Sequence, residues 1–364
     1  MRKIGVKEIN DMAVGATVLG TGGGGDPYVG KLMAIQAIRE FGEVTMLSPE
    51  EVPDDAIVVP SSMMGAPTVL VEKIPGGKEG HNTFNALERI LGKKIYATMS
   101  IEAGGINSML PFAVAAEKGI PIVDCDTMGR AFPELQMTSF HLYDISSTPM
   151  VLADEKGNTL TLNTINNHWT ESIARAATAV MGGSTFLASY HLTGKQLREA
   201  CIPYTMTQCE NIGRVIREAK SQGQNPVEAI LKEMGGFELF RGKVTDVSRR
   251  TDGSFVRGEA MLDGLGEDKG SEVLVNFQNE HIVARLGDET LCTAPDLIIM
   301  LDIETALPVT TEGLRYGARV VLTGVPCHEK WRTPKGIETV GPRYFGYDID
   351  YIPVEERVKS RRGR

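Results

Sequence analysis

The chain has 364 residues, of which 42% are hydrophobic and 23% charged, as is typical of a soluble globular protein. Its formal net charge of −9 argues against nucleic acid or an anionic membrane as a bulk partner. No apolar run reaches the length of a membrane span, and the five cysteines show no CxxC spacing. We therefore expect a cytoplasmic protein with reduced thiols, no signal peptide and no membrane or nucleic-acid partner.

The first notable feature along the chain is a glycine-rich loop at residues 20–27, which precedes a helical pattern over 29–41. Asp26 is suited to the N-cap of this helix and Pro27 to its first turn. The backbone amides of such a loop can bind an anion. The alternative is a tight turn in which backbone closely approaches backbone. As candidate substrate-binding residues we name Gly22, Gly23, Gly24, Gly25 and Asp26.

The glycine loop lacks the features of a nucleotide site. The letters match GxGxxG at Gly20, Gly22 and Gly25, but no clear strand precedes them, and no ribose-binding acid is obvious. A Walker loop is also excluded, because Leu32 follows Lys31 where Ser or Thr is needed. We therefore expect no nucleotide cofactor.

Strand and helix patterns then alternate, which predicts a mostly parallel sheet with helices on its faces. The strand patterns cover 44–47, 57–60, 95–99 and 120–123, and the helical patterns cover 82–91 and 109–118. Polar side chains follow the carboxyl ends of three of these strands: Ser61 and Ser62, Glu102 and Asn107, and Asp124 and Asp126. In open α/β sheets such ends meet in one crevice, so we expect these loops to form one site.

The segment 121–136 places three carboxylates and an arginine directly after a buried strand pattern. Asp124 and Asp126 are two residues apart, so on an extended backbone they face the same side. Neighbouring carboxylates raise one another's affinity for protons or for a metal. The alternative is that these aspartates only cap turns. As catalytic candidates we name Asp124, Asp126, Glu102 and Glu134, and as further substrate-binding candidates Asn107 and Arg130.

The second half begins with a hairpin pattern at 150–153 and 159–162, and helical patterns follow at 171–181, 209–220 and 226–234. From residue 237 the pattern changes to short strands separated by turns, with Thr251-Asp252-Gly253 the clearest hairpin signal. The predicted class is thus α/β. We divide the chain into an α/β domain (1–236), a mainly β domain (237–353) and a flexible basic tail (354–364).

Several reactive residue types carry no clear site signal. The six histidines show no HxH or HxxxH spacing, so we expect each to be structural. Cys125 lies between two aspartates, which would raise its pKa and favour a packing role. The run 326–348, which contains Trp331 and Tyr344, is either a packed surface loop or a loop that closes over the substrate.

At particular stretches the sequence resembles a bacterial and archaeal family named for S-methyl-thiohydantoin desulfurase, whose members often occur with hydantoinase/oxoprolinase-type proteins. The most specific match is DCDTMGRAFPELQM at 124–137. The other matches are LGTGGGGDPY (19–28), IEAGGIN (101–107), PDLIIMLDIETALPVTTEGLRYG (295–317) and GPRYFGYD (341–348). The resemblance spans nearly the whole chain and implies an N-terminal α/β domain and a β-rich C-terminal domain.

The resemblance implies an enzyme that hydrolytically removes sulfur from C2 of a thiohydantoin ring and leaves a hydantoin. In this hypothesis Asp124 and Asp126 activate water, directly or through a divalent metal, and Glu102 or Glu134 is the acid. Arg130 and the amides of residues 22–25 bind an anionic substituent. The expected partners are a small-molecule substrate, a second copy of the chain and possible hydantoinase/oxoprolinase-type proteins.

Two other functions stay open at this point. One is a non-catalytic partner subunit of a hydantoinase/oxoprolinase complex. The other is a nucleotide-dependent, hydantoinase-like enzyme whose glycine loop holds phosphate, and the missing Walker residues argue against it.

Overall fold

The structure, a computed structural model, describes residues 1–25, 27–65, 69, 73, 75–252 and 255–363. Asp26, a predicted substrate-binding residue, lies outside the described residues, as does Gly253 at the tip of the predicted hairpin. The described residues form two large sheets with helices packed mainly around the first. This arrangement confirms the predicted class, an α/β unit combined with a mainly β unit.

The first sheet is mixed, with its parallel part confined to four central strands. Its strands are β1 (Arg2–Ile4), β2 (Val44–Leu47), β3 (Ile57–Gly65), β4 (Ala97–Ser100), β5 (Ile122–Val123), β7 (Met150–Ala153), β8 (Thr159–Leu162), β9 (Ser184–Ala188) and β10 (Leu192–Thr193). In the described chain their order is β1-β2-β5-β4-β3-β9-β7-β8, and β10 also pairs with β3. Strands β2, β5, β4 and β3 run parallel, and the flanking pairs are antiparallel.

A short two-stranded pairing lies beside this sheet. Strand β6 (Cys125–Asp126) pairs with β11 (Ile202–Pro203), so Asp126 lies opposite Ile202. Since Asp124 alone separates β5 from β6, the chain leaves the sheet at this residue. The predicted acidic segment therefore begins at the carboxyl end of a central parallel strand, where α/β folds usually carry their sites.

The helices pack on both faces of the first sheet and at the edge of the second. They are α1 (Val6–Leu19), α2 (Tyr28–Phe41), α3 (Glu79–Leu91), α4 (Leu110–Lys118), α5 (Ser139–Leu142), α6 (Asn167–Val180), α7 (Gly194–Ala200), α8 (Thr205–Ser221), α9 (Pro226–Met234), α10 (Pro334–Val340) and α11 (Val354–Arg362). Helix α6 begins earlier than the pattern predicts, because the Asn166 side chain accepts the Trp169 N–H (3.0 Å) as an N-cap. A 3-10 turn at Gly105–Ser108 joins β4 to α4.

The second sheet is antiparallel throughout its described strands. These are β12 (Phe237–Asp252), β13 (Phe255–Gly264), β14 (Glu272–Gln278), β15 (Glu280–Leu286), β16 (Glu289–Thr293), β17 (Leu297–Asp302) and β18 (Arg319–Val325). Their order is β16-β15-β14-β13-β12-β18-β17. Strand β12 begins directly after residue 236, where the sequence pattern changes. Strand β16 lies at one edge of this sheet.

The basic C-terminal segment is helical, so the prediction of a flexible tail is wrong. The Val354 N–H donates to Asp296 Oδ2 (2.7 Å), and the Arg357 side chain donates to the Thr290 carbonyl (3.1 Å). Val354 and Val358 lie on one face of α11 and pack against the apolar core of the second sheet. Because charged residues surround these two valines in the sequence, the apolar face of the helix is difficult to recognise there. Within the described ranges, no helix is long and apolar enough to cross a membrane.

Candidate functional site

A cavity of about 110 Å³ lies where the end of β3 and the loop after β4 meet the glycine loop and the start of β15. On the same measure one water needs roughly 10–15 Å³, so the cavity has room for a small ring compound. Apolar side chains such as Ile101, Phe132 and Leu187 form part of its wall. Its polar lining includes Ser62, Glu102, Asn107, Glu134, Arg175 and Glu280.

Glu102 lies in the loop after β4 and is 6% exposed. The Ser100 hydroxyl stabilises the conformation of this loop, since it donates to the carbonyls of Glu102 (2.6 Å) and Asn107 (2.8 Å). Asn107 Nδ2 in turn donates to Glu102 Oε1 (2.8 Å). Burial raises the pKa of Glu102 to about 8 against the opposing effect of this hydrogen bond, and the charge of Asp126 adds to the rise. Glu102 is therefore a carboxyl that can exchange its proton near neutral pH.

Asn107 also fixes the position of Glu102 relative to the sheet. Its Oδ1 accepts the Met63 N–H (2.7 Å), and its Nδ2 donates to the Met63 carbonyl (3.1 Å). The side chain therefore bridges the 3-10 turn and the end of β3. The sequence predicted that Glu102 and Asn107 follow the same strand end, and the structure brings both into the cavity.

A second carboxyl, which the sequence analysis missed, enters the cavity from the other sheet. Glu280 is the first residue of β15 and is 2% exposed. Its Oε1 accepts the Gly24 N–H (3.1 Å), and its Oε2 is buried without a hydrogen-bond partner among the described residues. Burial raises the pKa of Glu280 well above its usual range, the charge of Glu102 raises it further, and Arg130 opposes the rise.

The glycine loop packs backbone against backbone. Gly24 has φ +75°, and its carbonyl accepts the Ile106 N–H (3.0 Å). A Cβ on Gly105 would lie 1.9 Å from the Gly24 oxygen, and one on Gly23 would lie 2.2 Å from Glu280 Oε1. The glycines are thus needed for close approach, as in the tight-turn alternative. Gly24 and Gly25 line the cavity, whereas Gly22 and Gly23 are not among the described lining residues.

Asp126 is fully buried and binds backbone amides. Its Oδ2 accepts the N–H groups of Ala103 (2.6 Å), Met128 (3.2 Å) and Gly129 (2.8 Å). Burial raises its pKa to about 7 against the lowering effect of these bonds. The side chain therefore caps the turn after β6 and also holds the residue next to Glu102.

Asp124 binds a different element. Its Oδ1 accepts the Thr207 N–H (3.0 Å) and its Oδ2 the Thr207 hydroxyl (2.5 Å), so it caps the first turn of α8. Neither Asp124 nor Asp126 is among the described residues that line the cavity. The sequence placed the two aspartates on one side of an extended strand, but their carboxylates bind separate parts of the fold.

Arg130 is fully buried behind the cavity, where protein oxygens bind its guanidinium. Its Nη2 donates to Thr21 Oγ1 (2.8 Å), and its Nη1 donates to the carbonyls of Pro295 (3.0 Å) and Asp296 (2.8 Å). Burial lowers its pKa to about 10. Arg130 thus links the glycine loop to the segment before β17, and it is not among the described residues that line the cavity.

Two charged side chains lie at the other end of the cavity lining. Glu134, a predicted candidate, accepts the Tyr344 hydroxyl at Oε2 (2.7 Å) and is also bonded to Gln136. Arg175, which the sequence analysis missed, is paired with Glu171 and donates from Nη2 to the Pro133 carbonyl (3.1 Å). Neutral hydrogen-bond donors thus bind Glu134, whereas Glu171 balances the charge of Arg175.

Trp331 supports the cavity wall from behind. It is fully buried, its Nε1–H donates to the Met128 carbonyl (2.7 Å), and its ring meets Phe132 edge-on at 5.2 Å. Trp331 is therefore a packing residue of the 326–348 run. Burial removes its large ring from water while the indole N–H keeps a hydrogen-bond partner.

The remaining metal-ligating residue types are dispersed. Within the part of the chain that the structure describes, no group of three or more His, Cys, Asp or Glu is placed to hold a metal ion. All five cysteines are buried free thiols. Burial raises the pKa of Cys125, Cys209, Cys292 and Cys327, so these thiols stay protonated and are weak nucleophiles.

The fold is that of a two-domain α/β protein, and its cavity is lined by carboxyl groups from both halves of the chain. Two family models match it: the S-Me-THD-like N-terminal domain over residues 7–164 and the S-Me-THD-like C-terminal domain over 165–354. The chain belongs to this family, that of S-methyl-thiohydantoin desulfurase, which confirms the resemblance seen in the sequence. The family name associates the protein with thiohydantoin chemistry.

A solved structure shares the fold. A crystal structure of a protein from Chromobacterium violaceum is similar to this chain with a TM-score of 0.82 and 22% sequence identity. The match covers 97% of this chain and 100% of that one. The comparison with curated proteins returned no match.

Proposed function

We propose that the protein hydrolyses the carbon–sulfur bond at C2 of an S-methyl-thiohydantoin-type ring and leaves the ring closed as a hydantoin. The observation that carries this proposal is Glu102. This carboxyl is buried at a cavity with room for a small ring compound, and its pKa is raised to about 8. A base with a pKa near the working pH is well matched to activating water. The family name supports the substrate class.

In the first step water adds to C2. The Glu102 carboxylate takes one proton from water while the water oxygen forms a bond to C2. The electron pair of the ring C2=N bond moves onto the nitrogen, which then takes that proton back from Glu102. Asn107 donates to Glu102 Oε1 and so holds the carboxylate at the wall of the cavity, where the water would react.

In the second step the tetrahedral adduct collapses. The C2–S bond breaks and its electron pair leaves on sulfur, which takes a proton to give methanethiol. The hydroxyl on C2 loses its remaining proton, and the C2=O bond of the hydantoin forms. One water is consumed, and no oxidant or reductant is needed.

The remaining predicted residues take supporting roles in this proposal. Asp126 positions the Glu102 loop through the Ala103 N–H, and Asp124 holds α8 against β6. Gly24 and Gly25 contribute backbone to the wall of the cavity. Arg130 holds the glycine loop in place, so its role is to support the site rather than to bind the substrate.

One contact favours activity without nucleotide. The Gly24 N–H, an amide that a phosphate-binding loop would direct at phosphate, donates to Glu280. A carboxyl group at that position competes with an anion for the amide, and when ionised it also repels the anion. The glycine loop therefore fits a carboxyl of the protein better than a nucleotide.

The test is turnover of a synthetic S-methyl-thiohydantoin by the purified protein. We expect methanethiol, measured with a thiol reagent, and closed-ring hydantoin, measured by chromatography, in equal amounts and without ATP. Glu102→Gln should abolish both products. The matched control is Glu117→Gln, since Glu117 is a partly buried carboxyl on α4 away from the cavity, also with a raised pKa. An obligatory requirement for ATP, or ring opening with sulfur retained, would overturn the proposal.

A further inference from the structure

The cavity is completed by one carboxyl from the second sheet. Glu280 is separated from Gly24 by 256 residues along the chain, yet the Gly24 N–H donates to its Oε1 (3.1 Å). Its Oε2 is buried without a hydrogen-bond partner among the residues described. Leaving a buried polar oxygen unpartnered destabilises a fold, so its retention at a cavity wall indicates a group that acts on a ligand.

We propose that Glu280 is the general acid that protonates the departing sulfur, and that the glycine loop exists to hold it. This inference rests on the proposed function. It assigns a second catalytic residue to the same cavity and places it on the other domain.

The acid role, rather than a second base, follows from what surrounds Glu280. An amide donor occupies Oε1, so a proton on the carboxyl resides on the unpartnered Oε2. The charge of Glu102 disfavours ionisation of Glu280, as does its burial. Two carboxyls at one site keep a proton between them, and the more strongly perturbed one retains it. Glu102 is then free to act as the base.

The proton transfer completes the second step of the reaction. As the C2–S bond breaks, its electron pair moves onto sulfur and the Glu280 proton forms the S–H bond. The Glu280 carboxylate then takes the proton that the C2 hydroxyl loses. Both carboxyls return to their starting states, and methanethiol and hydantoin are the products.

The glycine loop is shaped around this acid. A Cβ on Gly23 would lie 2.2 Å from Glu280 Oε1 and 2.6 Å from its Cδ, so a side chain there would displace the Glu280 carboxyl. The adjacent His281 N–H donates to the Thr21 carbonyl (2.8 Å), and the Thr311 N–H to the Gly22 carbonyl (2.7 Å). These contacts fix residues 21 and 22 of the loop to the second domain, next to the Gly24–Glu280 hydrogen bond.

The experiment varies the leaving group. A thiol that is more acidic leaves more readily without a proton. We therefore compare an S-methyl-thiohydantoin with its S-trifluoroethyl analogue, which carries a larger substituent and releases a more stable thiolate. Glu280→Gln should lower turnover of the S-methyl compound by about 10²–10⁴-fold and that of the trifluoroethyl compound at least tenfold less. Glu102→Gln should lower both to a similar degree, because both need activated water.

The outcomes separate this inference from the proposed function. If wild-type protein releases thiol from neither compound, the proposed function fails. If wild-type protein turns over both and Glu280→Gln lowers them equally, or lowers neither, the acid role is wrong. Should thermal unfolding show that Glu280→Gln does not fold, the wild-type pH profile replaces it. A loss of rate at high pH with the S-methyl compound that is weaker with the trifluoroethyl compound supports the acid, and identical profiles contradict it.

Discussion

Two pairs of buried carboxyls lie near one another in this fold, and they differ in what binds them. The oxygens of Asp124 and Asp126 accept hydrogen bonds from backbone amides and a hydroxyl, at turns and a helix start. Glu102 and Glu280 line the cavity, and Glu280 leaves one oxygen unpartnered among the described residues. Burial and clustering of acidic residues therefore do not by themselves indicate a functional site. An acidic residue that lines a cavity and has an oxygen without a hydrogen-bond partner is the better candidate.

The same difference has consequences for stability. The aspartates satisfy backbone donors that would otherwise be buried without partners, so they stabilise the fold. For Glu102, hydrogen bonds offset only part of the cost of burying the charge, so burial still raises its pKa. Active sites often retain such destabilising groups because catalysis needs them. Substitutions should therefore affect the two pairs in opposite ways.

The largest expected effect is on catalysis by Glu102→Gln. Loss of the base should reduce turnover by about 10²–10⁴-fold. The melting temperature should not fall, because the amide can still accept the Asn107 hydrogen bond and carries no charge to desolvate. Steady-state kinetics and thermal unfolding at pH 8 measure both effects, with Glu117→Gln as the control. Turnover within tenfold of the wild type would remove Glu102 from the mechanism.

The next effect concerns pH. Turnover should fall about tenfold per unit as pH drops below 8, because Glu102 gains a proton there. Stability should change in the opposite direction. The folded protein keeps a proton on Glu102 between pH 4.5 and about 8, where the unfolded chain has lost it, so this group's contribution falls as pH rises.

Urea unfolding of the wild type and Glu102→Gln tests the stability part of this prediction. Relative to the wild type, the free energy of unfolding of the variant should rise as pH increases from 4 to 9. In this range folding of the wild type requires Glu102 either to take up a proton or to be buried with its charge. A difference that is independent of pH would mean that the pKa of Glu102 is not raised in the folded state.

A smaller effect, on stability, is expected for Asp126→Asn. In the variant an NH2 group replaces one of the two Asp126 oxygens that accept backbone N–H groups. About 1–3 kcal/mol of unfolding free energy should therefore be lost. Asp124→Asn is the matched comparison and should cost about 1 kcal/mol, as expected for a weakened helix cap. Chemical denaturation measures both. If Asp126→Asn were inactive but as stable as the wild type, Asp126 would be the water activator after all.

The smallest effect is expected for Gly24→Ala. Gly24 has φ +75°, which costs a residue with a Cβ about 1–2 kcal/mol. Gly92 has φ +62° and open space where a Cβ would lie, so Gly92→Ala carries the same backbone cost alone. Gly24→Ala should lose somewhat more stability than Gly92→Ala, because its Cβ would lie 3.0 Å from the Gly104 backbone. Only Gly24→Ala should also lose activity, because it disturbs the amide that holds Glu280. Equal activity in the two variants would separate the glycine loop from catalysis.

The sequence predicts the fold class well because that class depends on local patterns. Alternating strand and helix patterns specify the first sheet, and the β-rich texture after residue 237 specifies the second. Glu102 and Asn107 could be identified because both follow β4 within a few residues. The direction of the chain at a strand end is thus enough to place two of the cavity residues.

The rest of the site depends on long-range packing. No motif in the sequence marks Glu280 as a site residue, and only the folded chain brings it to Gly24. For Asp126 the sequence shows the carboxylate but not the amides that bind it. Trp331 lies among charged residues, yet its ring packs on Phe132. A polar setting in sequence says little about burial when the partner lies far away along the chain.

The central claim, hydrolysis at C2 with the ring kept closed, is tested most directly by turnover in oxygen-18-labelled water. Mass spectrometry of the hydantoin product, with fragmentation across the ring, locates the label. We expect one labelled oxygen at the C2 carbonyl for each methanethiol released and none elsewhere. Label in the carboxylate of a ring-opened product, or thiol release without label at C2, would contradict attack of activated water on C2.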